Sequence, residues 1–125
     1  MLHLPFLYVA PSELGGKGVF TGQAIEEGSI IELAPVIILS AEDREAIHQT
    51  RLHDYYFQWG GDRAAIALGL GSLYNHDESP NADFTLDYEF KQIRFTSIRK
   101  IEAGEEIKTN YRVGDKDMRL WFEAE

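Results

Sequence analysis

The sequence predicts a mainly β single domain with little helix, and three observations carry this prediction. Short aliphatic and β-branched runs are separated by glycines along most of the 125-residue chain. Residues 82–89 and 91–98 alternate apolar and polar side chains, as the two strands of a half-buried hairpin do. A clear helix signal occurs in one segment, residues 41–50. The content of 44% hydrophobic residues is enough for one core and argues against disorder.

The predicted strands follow from local composition. Residues 5–11 (PFLYVAP) and 29–40 (SIIELAPVIILS) are the first two, and Pro35 predicts a break or an edge position within the second. Residues 64–71 (AAIALGLG) are apolar at every position, which predicts a strand that is buried on both faces. The hairpin 82–98 follows, and the glycine-containing stretch 102–106 (EAGEE) predicts a turn.

The helix signal combines a cap with acidic residues. Ser40 can accept a hydrogen bond from the backbone N–H of Asp43, and Glu42, Asp43 and Glu45 place negative charge near the positive end of the helix dipole. The tail 114–125 (GDKDMRLWFEAE) is ambiguous and is compatible with a short helix. We find no repeat, linker or low-complexity segment, so one domain over residues 1–125 is expected.

Composition excludes several kinds of function. The chain has no cysteine, which excludes a disulfide framework, a cysteine zinc site and a cysteine nucleophile. Its net charge of −9 disfavours direct nucleic-acid binding and is compatible with a basic partner, or simply with a soluble surface. No signal peptide and no apolar run of about 20 residues is present, so an intracellular, soluble protein without membrane contact is expected.

Three short motifs hold the candidate functional residues. Residues 14–20 (LGGKGVF) can form a turn or a backbone cradle for a ligand. Residues 74–81 (YNHDESPN) can be a polar turn; the histidines offer no familiar ligand spacing and Ser79 lacks a nucleophile elbow, so no metal site and no serine nucleophile is predicted. Residues 104–111 (GEEIKTNY) lead from an acidic turn into a strand that ends on Tyr111.

In combination and in this order, the three motifs resemble those of the SET-domain protein lysine methyltransferases. The matching segments are GKG (16–18), YNHDESPN (74–81) and GEEIKTNY (104–111), so the resemblance runs from about residue 8 to residue 111. In length the chain is similar to the minimal viral and bacterial members. The resemblance implies the SET β-fold, in which several small curved sheets surround a knot-like crossing. There the C-terminal segment threads past the Asn-His motif.

The resemblance also implies S-adenosylmethionine as cofactor and a substrate lysine that enters through a narrow channel from the opposite face. Tyr111 matches the active-site tyrosine, and Tyr55 resembles a second one, for which Tyr56 is the alternative. The residues implied to contact the cofactor are Gly16, Lys17, Gly18, Tyr74, Asn75 and His76. The residues implied to form the substrate channel are Tyr56, Thr109, Trp121 and Phe122.

The implied reaction is an in-line displacement at the sulfonium methyl by a neutral lysine amine. At pH 7, neutralising a free lysine costs roughly 4–5 kcal/mol, because its pKa is about 10.4. A desolvated aromatic channel disfavours the ammonium form and removes part of this cost. Positioning of the reacting groups supplies much of the rest, and Tyr111 is expected to align them with its oxygen near the sulfonium.

The chain departs from the family pattern at several points. Asp77 and Glu78 stand where Ser-Cys is common, which adds two acids and favours a basic peptide. Thr109 stands where Phe or Tyr is common, which leaves the number of transferred methyl groups open. The zinc-binding cysteine clusters of many eukaryotic members are absent, so we expect Trp121, Phe122 or the partner copy of a homodimer to close the channel.

Two other classes of function stay open at this stage. One is a catalytically inactive SET-like module that binds a protein, and the other is a small β-domain that binds an unrelated ligand. For an active enzyme, histone-like tails and other basic proteins are the expected substrates. The expected location is a bacterial cytoplasm or a virus-infected host cell, with the nucleus left open as a third location.

Overall fold

The computed structural model describes residues 2–111, which form two curved β-sheets, one α-helix and one short 3-10 helix. The α-helix is α1 (Ala41–His48), and the 3-10 helix is Arg51–Asp54. The strands, in chain order, are β1 (Leu2–His3), β2 (Leu7–Pro11), β3 (Lys17–Thr21), β4 (Ile30–Leu39), β5 (Tyr56–Trp59), β6 (Arg63–Ala67), β7 (Asn75–His76), β8 (Ala82–Asp87), β9 (Gln92–Ser97) and β10 (Glu106–Thr109). The predicted β-rich fold with little helix is confirmed.

The larger sheet is organised around β4, with the order β5-β6-β4-β9-β8 and with β1 paired to β4. The predicted break at Pro35 is wrong, since β4 is continuous through this residue. Pro35 instead lies at the end of the pairing with β9, opposite Gln92, and the pairing of β4 with β6 begins at Val36. A proline lacks the N–H that a central ladder needs, so the end of a ladder is the place where it fits.

The predicted hairpin is confirmed as β8 and β9, whose register runs from Ala82 opposite Ser97 to Asp87 opposite Gln92. Side chains of the two strands alternate between core and solvent, as the sequence pattern indicated. The buried side chains of the hairpin pack into the core beside β5, where the rings of Phe57 and Phe84 meet edge to face at 5.4 Å.

The helix starts as predicted but ends earlier. The Ser40 hydroxyl accepts the Asp43 backbone N–H at 3.1 Å, which caps α1. α1 ends at His48 because Thr50 caps a new turn: its hydroxyl accepts the Leu52 N–H at 3.1 Å and starts the 3-10 helix. Among residues 2–111, no helix is long and apolar enough to cross a membrane.

The strand predicted over residues 64–71 is shorter than expected. β6 ends at Ala67, and the Leu68 N–H then bonds to the Pro35 carbonyl at 2.9 Å as the chain turns. The glycines at the end of the apolar run account for the turn, since Gly69 has a φ of 64°. Residues 68–73 therefore connect β6 to the Asn-His motif as turns.

The smaller sheet brings the three sequence motifs together, with the order β2-β3-β10-β7. β10 is antiparallel to β3 on one side and parallel to β7 on the other. The fully buried Asn81 holds the crossing: its Oδ1 accepts the Lys108 N–H and its Nδ2 donates to the Glu106 carbonyl, both at 2.8 Å. β10 thus lies against the Asn-His segment, as the resemblance implied.

Candidate active site

Three neighbouring cavities share two tyrosines, Tyr55 and Tyr111. The wide cavity has a volume of about 370 Å³ and lies beside the glycine loop between β2 and β3. The narrow cavity has a volume of only about 10 Å³ and is lined mainly by aromatic rings. The third cavity, of about 280 Å³, adjoins the Asn-His motif. Tyr55 and Tyr111 therefore stand where a wide space and a narrow aromatic space meet.

Within residues 2–111, Tyr111 is held in place by contacts with Tyr74 and His76. Its hydroxyl donates to the Tyr74 carbonyl at 2.6 Å, and its backbone N–H donates to Nδ1 of His76 at 3.1 Å. The Tyr111 and His76 rings lie 5.1 Å apart between centroids. Burial raises the pKa of the Tyr111 phenol above its ordinary value, and nearby Tyr55, Asp54 and Glu106 raise it further. The hydroxyl is therefore a neutral, oriented group at physiological pH.

Tyr74 contributes its main chain to the site, whereas its side chain belongs to the core. The phenol donates to Oε1 of Glu32 at 2.7 Å, and the ring lies 4.4 Å from that of Phe95. Burial, together with the negative charge of Glu32, raises the pKa of Tyr74, so the phenol stays a hydrogen-bond donor. The implied cofactor role of Tyr74 stays a prediction, and the part of Tyr74 that meets Tyr111 is its carbonyl.

The glycines in and after the loop between β2 and β3 are needed for two different physical reasons. Gly15 and Gly16 have φ values of 106° and 61°, a left-handed conformation that favours glycine. At Gly18, a Cβ atom would lie 2.8 Å from Cδ of Glu106 and 2.9 Å from Nδ2 of Asn75. Gly16 and Lys17 line the wide cavity, whereas Gly18 packs against the side chains of Glu106 and Asn75.

Glu106 ties the glycine loop to the Asn-His motif. Its carboxylate accepts the Ser12 hydroxyl at 2.7 Å and the side-chain amide of Asn75 at 2.8 Å. The same amide donates to the Lys17 carbonyl at 3.1 Å. Sequence reasoning assigned Glu106 to a turn and missed this role, although the residue stands inside the GEEIKTNY motif.

The structure distinguishes the two adjacent tyrosines at the end of the 3-10 helix. The buried Tyr56 directs its hydroxyl to α1, where it lies 3.0 Å from Nδ1 of His48 and 3.4 Å from Nε of Arg44. Tyr55 is 47% exposed and lines all three cavities. Tyr55 thus shares all three cavities with Tyr111, whereas Tyr56 lines the narrow cavity, and the role of either as a second active-site tyrosine stays a prediction.

Charged residues around the site differ from what the sequence indicated. Asp77 forms an ion pair with Lys108 at 3.0 Å, so its negative charge is largely offset. A hydrogen bond from the Ser79 N–H, together with Lys108, holds the pKa of Asp77 below its ordinary value. Asp54, which sequence reasoning missed, lines both the narrow and the third cavity. No local signal marked it, because the 3-10 helix that delivers it was not predicted.

The remaining predicted residues divide into three groups. Thr109 is buried and lines the narrow cavity, and Asn75 and His76 line the third cavity. Trp121 and Phe122 lie outside the described residues, as does the tail 114–125. Within residues 2–111, the His, Asp and Glu side chains form no group of three that could hold a metal ion.

The chain is similar to known proteins over most of its length. The SET domain family matches residues 16–112. A protein of Schizosaccharomyces pombe named "Histone-lysine N-methyltransferase, H3 lysine-37 specific" is 37% identical over 120 residues, which cover 95% of this chain and 78% of that protein. Another protein of the same yeast, "Histone-lysine N-methyltransferase set5", is 50% identical over 42 residues, or 34% of this chain and 13% of that protein.

Solved structures agree with this similarity. A Plasmodium falciparum protein assigned as a histone methyltransferase superposes with a TM-score of 0.66 at 29% identity, covering 84% of this chain and 96% of that one. A chain of the ctPRC2 complex with H3K27me3 and H3K27M has a TM-score of 0.72 at 24% identity, covering 84% of this chain and 14% of that one. The second likeness concerns the fold alone.

The match over residues 16–112, together with the three motifs that meet at β10, identifies the class. The chain belongs to the SET-domain family, the class of protein lysine methyltransferases. Its fold is the SET β-fold.

Proposed function

We propose that this protein transfers a methyl group from S-adenosylmethionine to a lysine side chain of a basic, histone-like protein. The observation that carries the proposal is the position of Tyr111. Its neutral hydroxyl is fixed at the junction of a wide cavity and a narrow aromatic cavity. A methyl donor and a lysine that enter from two sides would meet at such a junction.

The wide cavity fits the proposed cofactor. Its volume of about 370 Å³ lies within the range of about 300–1,000 Å³ that is usual for small-molecule sites. The residues that would hold the cofactor are Gly16 and Lys17 of the glycine loop and Asn75 of the Asn-His motif. Gly15 and Gly16 have open space where a side chain would be, so a ligand can approach the backbone there. When bound, S-adenosylmethionine supplies an electrophilic methyl group on a sulfonium.

The narrow cavity suits the substrate lysine. Its walls include Tyr56, Phe57 and Phe95, which surround a small space with little room for water. Such an environment disfavours the lysine ammonium and promotes the neutral amine that can react. Thr109 also lines this cavity, and the number of methyl groups that the site can add is proposed to depend on the space it leaves.

Tyr111 is proposed to orient the reacting groups and not to remove the lysine proton. Burial raises the pKa of its phenol, so Tyr111 keeps its proton at neutral pH and cannot serve as a general base. Its oxygen, held by the Tyr74 carbonyl, can instead present a partial negative charge to developing or existing positive charge. Tyr55 would form the opposite side of the same junction.

The proposal predicts a rate that rises with pH. Single-turnover methylation is expected to increase by up to tenfold per pH unit from pH 7 towards 9, because the neutral fraction of a lysine increases in this way below its pKa, which is about 10.4 when free and lower in a desolvated cavity. Tyr74 and Tyr111 have raised pKa values, so their ionisation lowers stability only above about pH 10, where unfolded tyrosine ionises. Rapid-quench assays with thermal melts at each pH would measure both. A flat profile, with methyl transfer shown to limit the rate, would indicate a dedicated general base.

A basic substrate is proposed from charge and from the relatives. The net charge of −9 and the position of Asp54 at two of the cavities favour a positively charged peptide. The S. pombe relative is named for lysine 37 of histone H3, which makes histone tails the first substrates to test. A histone substrate would place the protein inside the cell and in the nucleus. A homodimer and the absence of direct nucleic-acid binding stay predictions.

Electrostatic steering predicts a salt-dependent KM. The KM for a basic peptide is expected to rise several-fold between low and high ionic strength, because salt screens attraction between exposed charges. Asp54→Asn is expected to raise KM and weaken this salt dependence. Asp77→Asn removes the same formal charge, but one already offset by Lys108, and should change the salt dependence less. A KM that does not change with salt would show that steering is absent, and equal effects of the two variants would show that Asp54 has no special part in it.

The direct test is methyl transfer itself. Radiolabelled S-adenosylmethionine would be incubated with the protein and a panel of basic proteins, and mass spectrometry would locate and count the added methyl groups. Calorimetric titration with S-adenosylmethionine separates the alternatives. Binding without transfer to any member of the panel would favour an inactive SET-like binding module, and no binding would favour a β-domain for another ligand.

A further inference from the structure

A buried carboxylate lies behind the candidate site and is not used by the mechanism described above. Glu32, on the central strand β4, has no solvent exposure. Its two oxygens accept two hydrogen bonds, from the Tyr74 hydroxyl at 2.7 Å and from the Leu70 backbone N–H at 3.0 Å. Both donors belong to the segment 70–74, which precedes the Asn-His motif.

This segment is connected to the reacting end of the site through Tyr74. Its phenol is fixed by Glu32, and its carbonyl accepts the Tyr111 hydroxyl at 2.6 Å. The Leu70 N–H bond anchors the start of the same segment to the same carboxylate. The carbonyl that aims the Tyr111 oxygen is thus held from behind by one side chain of β4.

We propose that Glu32 is a positioning residue for methyl transfer, which acts through Tyr74 on the hydroxyl of Tyr111. The inference rests on the proposed function and names a further residue that sets its efficiency. Glu32 lines none of the three cavities, so it is not a catalytic residue. Its action would be to keep the Tyr74 carbonyl, and therefore the Tyr111 oxygen, in one place.

Glu32 places an acidic side chain at a fully buried position. An ionised group in a core is expensive unless hydrogen bonds satisfy it, and an apolar residue there is often as stable or more so. Other residues of β4, such as Ile31 and Ala34, are apolar and buried. A carboxylate is the side chain that accepts two bonds in a fixed plane, which is what the Tyr74 hydroxyl and the Leu70 N–H require.

Replacing Glu32 with glutamine tests whether both hydrogen bonds to the carboxyl group are needed. Glu32→Gln keeps size and shape but leaves one acceptor oxygen and one NH₂ donor, so one of the two donor groups loses its acceptor. Tyr74→Phe keeps the ring against Phe95 and removes only the hydroxyl. The double variant completes a cycle. Ser97→Ala is the matched control, because Ser97 is also buried and hydrogen-bonded, to the Glu26 carbonyl at 2.7 Å, but lies away from the three cavities.

The experiment measures four quantities on each variant: the single-turnover rate on the peptide methylated by wild type, the affinity for S-adenosylmethionine, the melting temperature, and the crystal structure. Assays would run well below the melting temperature of the weakest variant. Glu32→Gln and Tyr74→Phe should each slow transfer by about 10–100-fold, the size reported for outer residues that orient functional groups in metal sites. Cofactor affinity should change little, and the double variant should be no slower than the slower single one.

The crystal structures give a readout that does not depend on activity. In both single variants, the Tyr111 oxygen should move from the Tyr74 carbonyl beyond the hydrogen-bond range of about 3.2 Å. A Tyr111 oxygen that stays in place, with rates like that of Ser97→Ala, would overturn the proposal and assign Glu32 to stability alone. If the wild-type protein transfers no methyl group, the proposed function fails, and the position of the Tyr111 oxygen in the variants still decides the positioning role.

Discussion

Tyr111→Phe is expected to lower the single-turnover rate of methyl transfer by about 10²–10³-fold, the loss seen when one preorganised polar contact to a reacting centre is removed. The substitution removes one oxygen and keeps the ring that packs 5.1 Å from the His76 ring. The backbone bond from the Tyr111 N–H to His76 is also kept. The loss should therefore be in chemistry and not in folding.

The measurement combines rapid-quench methylation with calorimetric titration of S-adenosylmethionine. Affinity for the cofactor should change far less than the rate, because the hydroxyl bonds to the Tyr74 carbonyl and not to the glycine loop. Tyr88→Phe is the matched control, since Tyr88 is a half-exposed tyrosine that lines none of the three cavities. If Tyr111→Phe turns over at nearly the wild-type rate, Tyr111 has no part in the mechanism. The proposed mechanism would then lose much of its support.

Local features of the fold could be predicted because local physics decides them. Ser40 caps α1 through a hydrogen bond that spans three residues, and β8 and β9 alternate because one face of the hairpin is buried. The three site motifs could be found for a similar reason, since each is short and contiguous. Their meeting around β10 followed from the family resemblance and not from spacing.

The features that were missed depend on partners far away in the chain. Glu106 bonds to Ser12 across 94 residues, and Tyr74 bonds to Glu32 across 42. Nothing in the local sequence around an acid tells whether it will meet a distant donor, so Glu106 looked like a turn residue. Pro35 gives the converse case: a local rule indicated a break or an edge position, but β4 continues through the proline at the point where its strand partner changes from β9 to β6.

Gly18 shows how one residue type can have two explanations. The sequence indicated a loop in which glycines give backbone freedom, and this holds for Gly15 and Gly16, which have positive φ. Gly18 lies in β3, where a Cβ atom would collide with the side chains of Glu106 and Asn75. Only the tertiary contact between β3 and β10 reveals the difference.

Asn75→Ala is expected to weaken binding of S-adenosylmethionine about tenfold and to lower the free energy of unfolding by about 1–2 kcal/mol. The Asn75 amide is the donor that joins the Lys17 carbonyl, at 3.1 Å, to the Glu106 carboxylate, at 2.8 Å. Without it, the glycine loop loses a tie to β7 and must be ordered when the cofactor binds. Calorimetric titration and denaturant unfolding of the two proteins would measure both effects.

The matched control for this prediction is Gln92→Ala. Gln92 also donates a side-chain amide to a carboxylate, that of Asp87 at 3.1 Å, but at the far end of the β8–β9 hairpin. It should leave cofactor affinity unchanged. Asn75→Asp should be worse than Asn75→Ala at neutral pH, because it sets a second carboxylate beside Glu106 and offers the Lys17 carbonyl no donor. If Asn75→Ala and Gln92→Ala bind S-adenosylmethionine as the wild type does, then Asn75 has no part in shaping the wide cavity, and the loop is organised by its backbone conformation alone.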